Sequence, residues 1–155
     1  MRLKAALIPF IFLFCLCFAL PVTGQLRNRT TKNSVPPPIS NEIRATAAYA
    51  EIILRKTELE STVEELLVSY TEEFPEVQHT RYELALLQAE LVRFGRLKTS
   101  DIPKLTLALG KLIVRRAELA TEYWILSNKY SSAHPNAKKA RRKLEIFDKE
   151  VRDIL

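Results

Sequence analysis

From Asn41 onward the apolar residues recur at three- and four-residue steps, the spacing of one face of an amphipathic helix. Ala45, Tyr49, Ile52, Leu59, Val63, Leu66 and Tyr70 form one stripe, interrupted only by Lys56. The same stripe returns 60 residues later as Leu105, Leu109, Leu112, Leu119, Tyr123, Leu126 and Tyr130, interrupted at the matching place by Arg116. A second pair of stripes follows, with Val77, Thr80, Leu84, Leu87, Leu91 and Phe94 matching Ala137, Ala140, Leu144, Phe147, Val151 and Ile154. The two copies, starting at Glu51 and Lys111, align without a gap, and Arg55/Arg115, Glu58/Glu118, Tyr70/Tyr130 and Pro75/Pro135 are identical. A duplication that keeps apolar spacing while its polar residues drift has kept its packing.

This pattern predicts helices near 41–73, 75–95, 100–132 and 135–154. Ser40 or Asn41 caps the first copy and Ser100 or Asp101 the second, with Pro103 tolerated in the opening turn. Pro75 and Pro135 push Phe74 and His134 out of helical geometry, and Gly95 reads as a left-handed helix stop. The stripes keep phase across Pro75, so one long kinked helix is an alternative to a hairpin. The hairpin is preferred, because proline suits a first helical turn and costs about 3 kcal/mol inside one. No stretch alternates with period two, so no strand is predicted. The fold class is all-α: a duplicated helical hairpin forming a four-helix bundle or coiled-coil-like assembly. Its repeats span 41–98 and 99–155. Lys56 and Arg116, placed identically in the two seams, are candidates for setting register at a cost in stability.

The residues before Asn41 read differently. Arg2 and Lys4 precede an apolar run from Ala5 to Leu20, and Pro21 with the small residues Thr23 and Gly24 follows, as in a secretory signal peptide over 1–24. The alternative is an uncleaved membrane anchor, the one membrane contact expected of the chain. Residues 25–40 are polar, basic and proline-rich, and read as a disordered linker. The only cysteines, Cys15 and Cys17, lie inside the apolar run, so no disulfide is expected after cleavage. The helical part is electrically divided. Residues 41–98 hold 7 basic and 11 acidic side chains, and residues 99–155 hold 12 and 7. The two halves therefore attract one another within a chain or head to tail between chains, or present two solvated faces of opposite sign.

Candidate chemistry is sparse. Only His79 and His134 offer imidazoles, and neither lies in a catalytic or metal-binding motif. Glu76 and His79 have the spacing used by di-iron bundles, but the copy places Asn136 and Lys139 there. His79 therefore reads as a solvent-facing residue. His134 replaces Phe74 of the first copy and reads as a turn position, with Tyr70 and Tyr130 as anchors beside the turns. No enzyme activity, cofactor or metal is expected. The densest charge run is Lys138, Lys139, Arg141, Arg142 and Lys143. It occupies the first turns of the last helix, where the macrodipole disfavours cations, and is the candidate anion-binding cluster.

The turn segments resemble the periplasmic coiled-coil region of bacterial polysaccharide chain-length determinant proteins. Leu66, Leu67, Tyr70, Pro75, Glu76, Val77, Leu84 and Leu91 carry the resemblance in the first copy, and Leu126, Tyr130, His134 and Pro135 in the second. It implies an envelope location and helical scaffolding. The second membrane span of that family is not seen here, so its co-polymerase activity is not carried over. The expectation is a secreted or periplasmic, non-enzymatic scaffold or adaptor with a protein partner or self-association. The alternative is a chaperone-like or anion- or polysaccharide-binding module whose last helix meets an anionic envelope component. Nucleic acid is a poor fit for an exported protein.

Overall fold

The computed structural model describes residues 38–155, so the leader, both cysteines and most of the linker lie outside the described residues. Five α-helices occur among the described residues: α1 Asn41–Arg44, α2 Ala47–Leu67, α3 Pro75–Phe94, α4 Leu107–Lys129 and α5 Pro135–Ile154. A 3-10 helix, Thr99–Lys104, joins α3 to α4, and no strand occurs among the described residues. The all-α reading holds, and Pro75 and Pro135 each open a new helix instead of kinking one, while Pro103 lies inside the 3-10 helix and not in the first turn of α4.

Local chemistry moves several boundaries. Ser40 caps only the short α1, through its Oγ and the Ile43 amide. Both long helices start instead at a threonine the stripes did not reveal. Thr46 Oγ1 accepts from the Tyr49 amide and Thr106 Oγ1 from the Leu109 amide, each at 3.3 Å. The two caps are one repeat apart. Asp101 serves the 3-10 turn, accepting from the Lys98 amide at 3.3 Å and from Lys104 Nζ at 3.1 Å. The Lys104 hydrogen bond holds its carboxyl below the ordinary carboxylate range. That support is present above the ordinary value and is lost as pH falls through the lowered one. Gly95 is right-handed, φ −62°, so it is not a left-handed stop. Helix α2 ends at Leu67, six residues before the predicted 73, because residues 68–74 form the turn. Thr46→Ala and Thr106→Ala are each expected to cost about 1 kcal/mol, read as a lower urea midpoint with an unchanged slope.

The hairpins are antiparallel within themselves, but α2 and α4 run side by side in the same direction. Gly110 abuts Ala48 and Glu51, while a turn or two further on Arg55 lies 3.8 Å from Glu118. The Ala48 amide also donates to the Leu105 carbonyl at 3.3 Å. Both hairpin turns consequently point to one end. At the other end Ile43, Ile52, Leu91, Phe94, Leu105, Leu109, Ile113 and Val151 close the core, and Ile39 packs on it. Each such side chain contributes about 1.5–3 kcal/mol when fully buried.

The bundle is not symmetric. Helix α4 packs against α2, α3 and α5, whereas α5 lies mainly on α4. Matched positions record the difference. Ala117 and Thr121 of α4 are buried, while their counterparts Thr57 and Ser61 of α2 are exposed. One hairpin's first helix has become the centre; the other's remains an outer helix.

Candidate functional site

The two turns are built alike. The Tyr70 amide donates to the Leu66 carbonyl at 2.9 Å, and Tyr130 to Leu126 at 2.8 Å. The Phe74 amide then reaches the Thr71 carbonyl at 3.0 Å and His134 reaches Ser131 at 2.9 Å. Tyr70 stacks on Phe74 with ring centroids 4.0 Å apart, and Tyr130 on His134 at 4.2 Å. His134 Nδ1 also accepts from the Asn136 amide at 3.2 Å, so the imidazole caps α5. The stacked ring is common to both turns and explains why Phe and His interchange at this position, while the cap is added by His134 alone.

Charge at this end is lopsided. Between residues 64 and 81, Glu64, Glu65, Glu72, Glu73 and Glu76 face the single cation Arg81, a net −4. In the matching stretch 124–141, Lys129, Lys138, Lys139 and Arg141 meet no acid, a net +4. Outside these stretches the first hairpin holds six basic and six acidic residues, and the second eight and seven. The imbalance between the halves is therefore an imbalance between the two tips. No ion pair joins the tips among the described residues. The hairpins are joined lower down, and by one pair in each direction: Arg55 to Glu118, and Arg116 to Glu90.

Those two arginines carry the buried electrostatics. Arg55 contacts Glu83 at 2.9 Å, and Glu83 is buried between α2 and α3. Burial opposes the Arg55 charge, but hydrogen bonds to Glu83 and Glu58 hold the guanidinium above its ordinary value. Arg116 pairs with the buried Glu90 of α3 and lies 3.4 Å from Asp148 of α5, so it ties three helices together. Arg116 thus reaches across the seam. Lys56 does not: it pairs with Glu60 one turn along its own helix and crosses to no other. The reason is the asymmetry, since no helix packs over Lys56 as α3 packs over Arg116.

The interface of α3 with α4 has three parts. His79 meets Trp124 edge-on at 5.8 Å, and Tyr82 stacks on Trp124 at 4.6 Å. Half-buried, His79 is a packing residue against α4, which corrects the solvent-facing reading. Next along, Leu86 borders a cleft of about 230 Å³ floored by Ala117 and Ala120 and closed by Leu144 of α5. The Glu90–Arg116 pair ends the row.

The candidate anion cluster lies on α5, and helical spacing divides it. Lys139 and Lys143 border a hollow against α4 with Glu122, Leu126 and Asn136. Lys138, Arg141 and Arg142 gather outward beside Ser132 and Glu145. Glu145 takes Arg141 at 2.8 Å and Arg142 at 3.9 Å. All five cations are exposed. The register candidates Lys56 and Arg116 belong to the middle of the bundle, apart from this cluster. Val68, Tyr70 and Leu107 are apolar residues exposed at helix ends, and within the helices Leu54 of α2 is 58% exposed and Ile146 of α5 is 61% exposed. The periodicity missed them as surface features, because both fall between stripes.

Among the described residues no three His, Cys, Asp or Glu side chains converge as metal ligands, and no helix is long and apolar enough to cross a membrane. Compared with known proteins, the chain matches no family model, no curated sequence and no solved structure.

Proposed function

We propose that this chain is a non-enzymatic, exported helical scaffold of the bacterial envelope that works by protein–protein contact. The observation that carries this reading is the pair of open faces on the outer helices. On α2 the exposed Thr57, Ser61 and Glu64 surround a surface whose counterpart on α4 is buried. On α5 an exposed Ile146 sits among Arg142, Lys143, Glu145, Lys149 and Glu150. Uncovered apolar residues rimmed by charge are what a recognition surface presents. The signal-peptide pattern and the resemblance of the turn segments support the location. The described chain begins at the closed end of the bundle, and a helix of α2's length places the tips about 30 Å from it.

The test is photo-cross-linking in the native host, with the reactive side chain at Thr57 or Ile146 and a control at Ser100 of the connector. Discrete protein adducts from the two faces and none from the control are expected. Equal labelling from all three positions, or none from any, removes the scaffold reading. One observation favours a second reading, an anion-binding module: Lys138, Lys139 and Lys143 make no ion pair among the described residues, and Lys138 and Lys139 lie near the positive end of a helix.

A further inference from the structure

The internal duplication predicts what covers the open faces. The contact between hairpin one and hairpin two is made by α2 and α3 on one side and α4 on the other. Advancing every residue of the first hairpin by one repeat, and returning those of the second, turns that contact into one between two chains. Helix α5 of one copy then takes the part of α3, and α2 of the next copy takes the part of α4. We infer that this chain self-associates head to tail through this second use of its own hairpin–hairpin interface. The inference rests on the scaffold reading and names its partner as a second copy.

The residues at the translated positions fit. His79 and Tyr82 meet Trp124 inside the chain. Their counterparts are Lys139 and Arg142 on α5 and Glu64 on the next α2, so an aromatic contact becomes a charge-complementary one. Glu90 pairs with Arg116 inside the chain. The counterparts are Glu150 and Lys56, again acid against base. Arg55 reaches Glu118 inside the chain, and the counterparts Arg115 and Glu58 are identical in type. The close approach of Ala48 to Gly110 becomes Ala108 against Ala50, two small residues. No translated pair sets like charges together.

The exposed apolar side chains fall at translated positions as well, with Ile146 against Thr57 and the stems of Lys56 and Glu60. Leu86 lines the α3–α4 cleft, and its counterpart is Ile146, exposed in the single chain. Val114 packs on the core, and its counterpart is Leu54, likewise exposed. Leu86 and Val114 are half-buried, so Ile146 and Leu54 occupy positions that the other repeat covers, while the remaining exposed apolar residues, Val68, Tyr70 and Leu107, lie at helix ends. Lys56, which finds no partner across helices within the chain, acquires Glu150 of the neighbour and the seam role that its position implied. A heterologous contact of this kind leaves one face free at each end, so growth does not stop at two chains. Repeat proteins stack by nearest-neighbour interfaces in the same way.

The experiment is analytical ultracentrifugation of the chain as recovered after expression with its own leader. It is run at about 0.01 M salt, where charges are felt over about 30 Å, and at about 1 M, where the range is about 3 Å. Mass that grows with concentration past two chains at low salt, and falls toward one at high salt, is expected. Glu150→Lys sets a cation against Lys56 of the neighbour, and Glu64→Lys sets a cation against Lys139 and Arg142. Each is expected to weaken assembly at least about a hundredfold. Both positions are exposed, and unchanged helical circular dichroism verifies folding. Mixing the variants is the distinctive step. The intact α5 face of E64K fits the intact α2 face of E150K, so the mixture forms one-to-one pairs and nothing larger.

A wild-type chain that stays single at low salt overturns the inference, as does a closed dimer or an assembly indifferent to both variants. A single chain that still cross-links to a different protein in the host leaves the scaffold reading standing and removes only self-association. A single chain that binds heparin, and loses it in K139E/R142E, assigns the α5 cations to an anionic ligand and overturns the inference.

Discussion

Replacing Arg116 with alanine is expected to destabilise the bundle by about 3 kcal/mol, the low end of the range for breaking a buried ion pair. Glu90 is 7% exposed and loses its partner, while its Oε2 already lacks a hydrogen bond. A carboxylate left buried without a counter-charge carries its full desolvation cost. Arg93, 3.6 Å from that oxygen, moderates the loss and is the reason for choosing the low end. Asp148 is more exposed and recovers solvent, so it adds little. Thermal unfolding should show a midpoint lower by roughly 10 °C or more. Converting both partners, as Glu90→Leu with Arg116→Met, should restore most of the stability, because the desolvated charges leave together. A double variant as unstable as R116A would mean that Arg116 acts by packing. Lys56→Ala, at the matching position, should change stability by less than about 0.5 kcal/mol in the single chain.

The contrast between Lys56 and Arg116 marks how far the sequence could be read. Their equal spacing within equal stripes is plain in the chain, and so is the hairpin, because each proline resets the helix. What the stripes do not contain is the second buried face of α4. That face is made by Gly110, Ala117 and Thr121, and small or hydroxyl-bearing side chains do not register as apolar periodicity. Without it, the two halves look equivalent and the bundle looks symmetric. The capping threonines were hidden for a related reason. The stripe stays in phase through Thr46, so a chain break there leaves no mark on hydrophobic spacing. The candidate site was legible in part. The cation run on α5 is evident, and so is the opposite net charge of the halves. That the imbalance belongs to the tips, and that Ile146 and Leu54 lie at positions covered elsewhere in the same fold, follows only once α4 is known to be central.

Gly110 provides the sharpest test of that central helix. A glycine inside a helix costs about 1 kcal/mol relative to alanine, so on propensity alone Gly110→Ala should stabilise the protein. The parallel approach of α2 predicts the opposite. A Cβ at Gly110 would lie 2.9 Å from the Ala48 Cα and 3.1 Å from the Ala48 carbonyl oxygen. These are backbone atoms, so no side-chain rotation relieves the contact and the two helices must move apart. Overpacking of this kind costs about 1–3 kcal/mol, and the absence of a flexible neighbour places it at the upper end. It also strains the bond from the Ala48 amide to the Leu105 carbonyl. The net expectation is a loss of about 2 kcal/mol, after the propensity gain is subtracted. Calorimetry at high salt, with chains single, should show a midpoint lower by roughly 6–12 °C. Ala50 is the matching residue of the outer helix α2, and it is exposed. Ala50→Gly should therefore cost only the propensity difference, about 1 kcal/mol. If G110A instead raises the midpoint, α2 and α4 do not approach this closely and the central position of α4 is lost. With it would go the template from which the head-to-tail contact is built.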